Sequence, residues 1–139
     1  MNEKAGEAST TCAFMNNMTG VDVILTDLSI VLQDRLRHSI DLLIFNPPYV
    51  PTDILAHDRG ISASWSGGED GVQVTKRFIQ GIPDLLSDEG MFFLVLVQEN
   101  DIPRLIQDME SIGIDARVCL SRRCGREHLS VVSGRRRLT

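Results

Sequence analysis

Asp41-Leu42-Leu43-Ile44-Phe45-Asn46-Pro47-Pro48-Tyr49 sets four apolar residues in a row and stops them on two prolines. A continuous apolar run of this length suits a strand buried on both faces of a parallel sheet. The prolines end it, because they cannot donate to a ladder and they hold Asn46 and Pro47 extended. What remains is a rigid turn presenting two acceptors, the Asn46 side-chain oxygen and the Pro47 carbonyl, beside the flat face of Tyr49. Such a turn suits a planar amide or amino group: two acceptors bind its N–H groups and favour the charge that develops on an attacking nitrogen. Tyr49 can stack on the acceptor plane, and no strong base is required.

Working outward, the chain alternates helical and strand patterns. Residues from about Asn2 to Met18 are predicted to form a helix, with Ala5, Ala8, Cys12 and Met15 at helical spacing. Val21–Leu25 is predicted as a short buried strand ending at Thr26-Asp27, and Ser29–Arg37 as a short helix. After the quoted strand comes an aperiodic stretch, Val50–Gly71, long enough to suggest function. Val72–Leu86 is predicted helical with Pro83 bending or ending it, and Met91–Val97 as a second apolar strand. Ile102–Ile112 is predicted as an amphipathic helix closed by Gly113, and Ile114–Leu120 and His128–Val132 as a terminal hairpin. This alternation implies an α/β fold with a mainly parallel sheet.

Two further segments are candidates for chemistry. Thr26-Asp27-Leu28 stands at a strand end, where open α/β sheets bind ligands. The Asp27 carboxylate can accept from an adenine amino group while the next backbone N–H reaches a ring nitrogen; equally, Asp27 can cap the following helix. Trp65-Ser66-Gly67-Gly68-Glu69-Asp70-Gly71 follows a loop rather than a strand, which argues against a phosphate loop. Its glycines permit either a close backbone approach under a ligand or a turn capped by Asp70.

The 139 residues are 42% hydrophobic and 24% charged, as in soluble globular proteins, and suffice for one domain or part of one. A net charge of −5 argues against a broad electrostatic grip on nucleic acid. Cys12, Cys119 and Cys124 have no metal-site spacing and point to a reducing setting, cytoplasmic or also nuclear. No apolar run approaches the ~20 residues of a membrane span, so no membrane partner is expected. His38, His57 and His128 show no ligand spacing. Arg135-Arg136-Arg137 is expected to be a solvated tail.

Leu43-Ile44-Phe45-Asn46-Pro47-Pro48-Tyr49 matches the signature of amino-methyltransferases. With Thr26-Asp27-Leu28 and Trp65–Gly71, the chain resembles the eukaryotic and archaeal branch of the HemK-type glutamine methyltransferases. The resemblance implies a Rossmann-like seven-strand class I methyltransferase fold with S-adenosylmethionine as methyl donor. It implies as acceptor the glutamine amide in the Gly-Gly-Gln loop of a translation release factor, with a histone as a further substrate. A small zinc-binding activator subunit would be the partner in a heterodimer. Carried over by motif, Asn46, Pro47 and Tyr49 would be catalytic, Pro48 would complete the acceptor slot, and Asp27, Leu28 and Asn46 would contact the donor.

Family members open with a strand, a glycine-rich loop and a second strand, for which these residues offer no match. In the family's sheet order, 3-2-1-4-5-7-6, that pair lies between Val21–Leu25 and Asp41–Phe45. Residues 1–139 are therefore expected to be the C-terminal part of a single methyltransferase domain, with two unpaired parallel edges and weak or no activity alone. Two other readings stand beside this one: an adenine-N6 DNA or RNA methyltransferase, and a non-catalytic chain that binds the activator subunit.

Overall fold

The computed structural model describes residues 2–48 and 72–137. Its centre is a four-stranded sheet of order β1-β2-β4-β3, built from β1 (Ile40–Phe45), β2 (Leu86–Val97), β3 (Ile114–Cys124) and β4 (Glu127–Arg136). β1 and β2 run parallel, while β4 is antiparallel to both β2 and β3. That order is the expected family order with its first three strands left out.

The parallel pair is joined through α2 (Gln73–Leu85), and α3 (Ile102–Ser111) leads from β2 to β3. α2 lays Phe78, Ile79, Ile82 and Leu85 on the sheet, and α3 adds Ile102, Leu105 and Met109. They meet Phe92, Leu94, Leu96 and Val132, all fully buried on the same sheet face. Pro83 sits in the last turn of α2, where one missing N–H costs a single helical bond. Gly113, at φ 81°, takes the left-handed position that ends α3. Gly125, at φ 62°, opens the two-residue turn joining β3 to β4. At the carboxyl end of β2, the buried Asn100 side chain accepts from the Val97 N–H at 2.9 Å.

The opposite sheet face is open. Alternation along β1 puts Leu42 and Ile44 on it, and they are 57% and 67% exposed. Their neighbours Phe93 and Val95 are half-buried, and Leu120 on β3 is exposed.

The expected strand Val21–Leu25 does not form. This segment pairs with no strand among the described residues, and Val21, Val23, Ile24 and Leu25 stay exposed. Val23 and Leu25 instead lie against Gly6 of α1 (Glu3–Met15). A strand is stabilised by the ladder on its flank, and β1 pairs only with β2, so no edge adjoins this segment. Nor does the middle of the sheet present two open edges; the open parallel edge is that of β1 alone. α1 is shorter than the expected 2–18 helix and buries none of its residues. Asn2 caps it through its side chain, and Asn16 and Asn17 stop it. The segment expected as a helix over Ser29–Arg37 is a 3-10 turn at Ile30–Leu32 followed by further turns.

Candidate functional site

The site is assembled around one face of α2. Arg77, Gly81 and Asp84 recur at helical spacing, and each holds a successive part of the segment from Asp27 to His38. Arg77 donates to Asp27 Oδ2 at 2.7 Å. Gly81 lets Ser29 and Gln33 approach the helix, with Gln33 Nε2 standing 3.3 Å from where a Cβ would lie. Asp84 accepts from Arg37 at 3.3 Å, and its carbonyl accepts from the His38 N–H at 2.8 Å.

The residue after Arg77 fixes the other half. The Phe78 ring stacks on that of Phe45, centroids 4.2 Å apart and tilted by 32°. Phe45 immediately precedes Asn46. Thus two consecutive residues of α2 tie Asp27 and the carboxyl end of β1 to the same helical turn. Pro47 is buried, Pro48 is half-buried, and Asn46 is exposed with no side-chain hydrogen bond among the described residues.

Three observations mark Thr26-Asp27-Leu28. Thr26 Oγ1 is buried without a hydrogen-bond partner, and such a group costs roughly 1–3 kcal/mol unless something satisfies it. Leu28 adopts φ 54°, a left-handed conformation that costs a leucine roughly 1–3 kcal/mol. Asp27 spends one oxygen on Arg77 and stays more than half exposed. Asp27 does not cap the following turn with its side chain; its carbonyl accepts from Ile30 N. Between Leu28, Leu32 and Leu36 on one side and Leu43, Phe45 and Phe78 on the other lies an apolar cavity of about 260 Å³. That is below the ~300 Å³ at which small-molecule sites begin, too little for a whole nucleoside donor.

The donor set fits the adenine side of S-adenosylmethionine: an unsatisfied hydroxyl, a half-used carboxylate and a strained backbone N–H are consecutive. Tyr49, His57 and the Trp65–Gly71 segment lie outside the described residues. Among the described residues no helix is long and apolar enough to cross a membrane, and no cluster of potential metal ligands occurs. Cys12, Cys119 and Cys124 are free and exposed. The role of α2 was missed by the sequence reading. Arg77 and Gly81 look like ordinary surface and helix residues, and only the spacing of Arg77, Gly81 and Asp84 on one helical face hints at it.

No family model matches the chain. It is 41% identical over 119 residues to the human protein named Methyltransferase HEMK2, covering 84% of this chain and 55% of that one. It is 38% identical over 101 residues to the eRF1 methyltransferase catalytic subunit mtq2 of Schizosaccharomyces pombe, covering 70% and 44%. The chain thus spans about half the length of these curated relatives. Among solved structures it superposes on the E. cuniculi Mtq2–Trm112 complex, described as responsible for methylation of the eRF1 termination factor. The TM-score is 0.68 at 24% identity, over 88% of this chain and 65% of that one, which supports the Rossmann-like fold.

Proposed function

We propose that this chain, which aligns over most of its length with the HEMK2 and mtq2 methyltransferases, forms the acceptor half of an S-adenosylmethionine-dependent methyltransferase acting on a protein glutamine amide. The observation that carries this reading is the pairing of an unengaged Asn46 at the end of β1 with Asp27, both anchored on the Arg77–Phe78 turn.

The chemistry asked of these residues is positioning and electrostatics. Asn46 and the Pro47 carbonyl accept the two amide N–H groups and turn the nitrogen lone pair outward. As the nitrogen gains positive charge, the same acceptors bind it more tightly, which lowers the barrier. Two fixed prolines mean that little reorganisation accompanies this step. When bound, S-adenosylmethionine supplies the electrophilic methyl; Thr26, Asp27 and the Leu28 N–H would hold its adenine. Tyr49 would line the acceptor slot, with Pro48 setting its direction. The 139 residues contain no Glu-x-Gly-x-Gly-x-Gly segment, so donor affinity in this chain rests on the adenine side.

The substrate we propose is the release factor eRF1 at its Gly-Gly-Gln loop, with a small zinc-binding activator subunit of the Trm112 kind as partner. That is the substrate named for the S. pombe relative and the assembly named for the solved one. A histone would be a secondary acceptor, and the setting would be cytoplasmic or nuclear.

The test is methyl transfer from labelled S-adenosylmethionine, using the full chain with the activator subunit added. Label on the loop glutamine of eRF1, lost in Asn46→Ala, is the expected result. Label on adenine in oligonucleotides with none on eRF1 overturns the reading.

A further inference from the structure

Positive charge in this chain is segregated to one hairpin. Seven of the 14 lysines and arginines lie between residues 117 and 137, all arginines, against the single carboxylate Glu127. That stretch carries a net charge of +6, while the other residues together carry −11. Arg136 spends its charge on Asp88, and Arg135 reaches Met91 Sδ. Arg117, Arg122, Arg123 and Arg126 are exposed, and their side chains have no hydrogen bond or ion pair among the described residues.

The register locates this charge. Phe45 pairs with Leu94, Leu94 with Val132, and the hairpin continues from Val132 to its turn at Gly125-Arg126. The turn therefore projects about five residues, or roughly 17 Å, beyond the level at which β1 ends. It does so at the same end of the sheet as Asn46. β4 and β3 lie two and three strands from β1, or roughly 10 and 14 Å to the side. The arginines stand too far from Asn46 to touch the reacting amide, but beside anything large that reaches it.

We propose that Arg122, Arg123 and Arg126, with Arg117 behind them, form a docking arm for an acidic surface on the protein substrate. This rests on the protein-glutamine reading above and names how the substrate is held. Four guanidinium groups with no carboxylate partner among the described residues repel one another through water and salt, and an anionic partner surface relieves that repulsion further. Arginine rather than lysine favours planar carboxylates, which it binds through two parallel hydrogen bonds. A nucleic-acid reading of the same patch is less well supported. No Phe, Tyr or Trp lies on the hairpin to stack a base, the His128 imidazole being its one aromatic ring, and the acidic remainder of the chain repels a phosphate backbone.

The test compares the full chain with Arg122→Glu/Arg123→Glu/Arg126→Glu, measuring binding to labelled eRF1 by fluorescence anisotropy at low and physiological salt. The expected result is binding that weakens with salt and falls about tenfold or more on charge reversal. The milder triple alanine variant should lose less, and Arg104→Glu on α3 should change nothing. Far-UV circular dichroism confirms that the variants keep the sheet. Unchanged affinity in the reversed variant overturns the proposal. So does tight binding to an RNA oligonucleotide with none to eRF1, which would assign the arm to nucleic acid. Absence of methyl transfer with arginine-dependent eRF1 binding would instead fault the glutamine reading while leaving the docking arm in place.

Discussion

Arg77 donates to the Asp27 carboxylate across 2.7 Å, and that contact joins two parts of the site that are 50 residues apart in sequence. Both side chains are half exposed, so water screens most of the attraction. Arg77→Ala should therefore cost under about 1 kcal/mol of stability, read from the midpoint of urea unfolding. In an assembly that transfers methyl groups, it should raise the KM for S-adenosylmethionine more than it lowers kcat. An unchanged KM would mean that Asp27 needs no anchoring.

Asn46 is exposed and its side chain has no hydrogen bond among the described residues, so its removal should leave folding alone. Asn46→Ala should lower the rate of methyl transfer by roughly 100- to 1,000-fold, as for other preorganised hydrogen-bonding groups at a reacting centre. Thermal melting should be unchanged. A variant that keeps its rate would remove Asn46 from the acceptor site.

Leu42 and Ile44 present an apolar stripe beside the open edge of β1. Contiguous apolar surface next to an unpaired edge favours association between chains. Ile44→Lys should lower the apparent mass by light scattering while changing stability by no more than about 0.5 kcal/mol. A monomeric wild-type chain at high concentration would contradict this.

Gly134 lies where β4 passes closest to β3 and the Phe92 ring. A Cβ there would stand 2.5 Å from the Asp115 carbonyl oxygen and 2.7 Å from the ring. Neither can retreat, because one is backbone and the other is packed in the core. Gly134→Ala should cost about 1–3 kcal/mol in chemical denaturation. Ile82→Ala empties a fully buried position under α2 and should cost about 2–5 kcal/mol by the same measurement.

Much of the fold was legible in the chain. β1, β2, α2 and α3 follow from apolar runs and helical spacing, because those patterns are local and the packing reinforces them. The end of β1 at Asn46 follows from Pro47 and Pro48, whose missing N–H groups act whatever the surroundings. Val21–Leu25 was read as a strand from equally apolar residues, and it failed because composition cannot supply a neighbouring ladder. The extra length of β3 and β4 was missed for a related reason. Ser121–Cys124 and Glu127 are too polar to read as strand, yet the tight turn at Gly125 lets them pair.

The sequence by itself determined that a rigid pair of acceptors ends an apolar strand, because proline acts on its own residue and the one before it. It also determined that half of the positive charge falls in the last 23 residues against a single carboxylate, since charge is a property of composition. Only the tertiary structure decided what these features face. The 3.6-residue pitch of α2 brings Arg77, Gly81 and Asp84 onto one face and so carries Asp27 to the turn that holds Phe45. The strand register, which depends on pairings up to about 50 residues apart, sets the arginine hairpin at the same end of the sheet as Asn46. Contacts of that range arise from packing and pairing, and no local spacing encodes them.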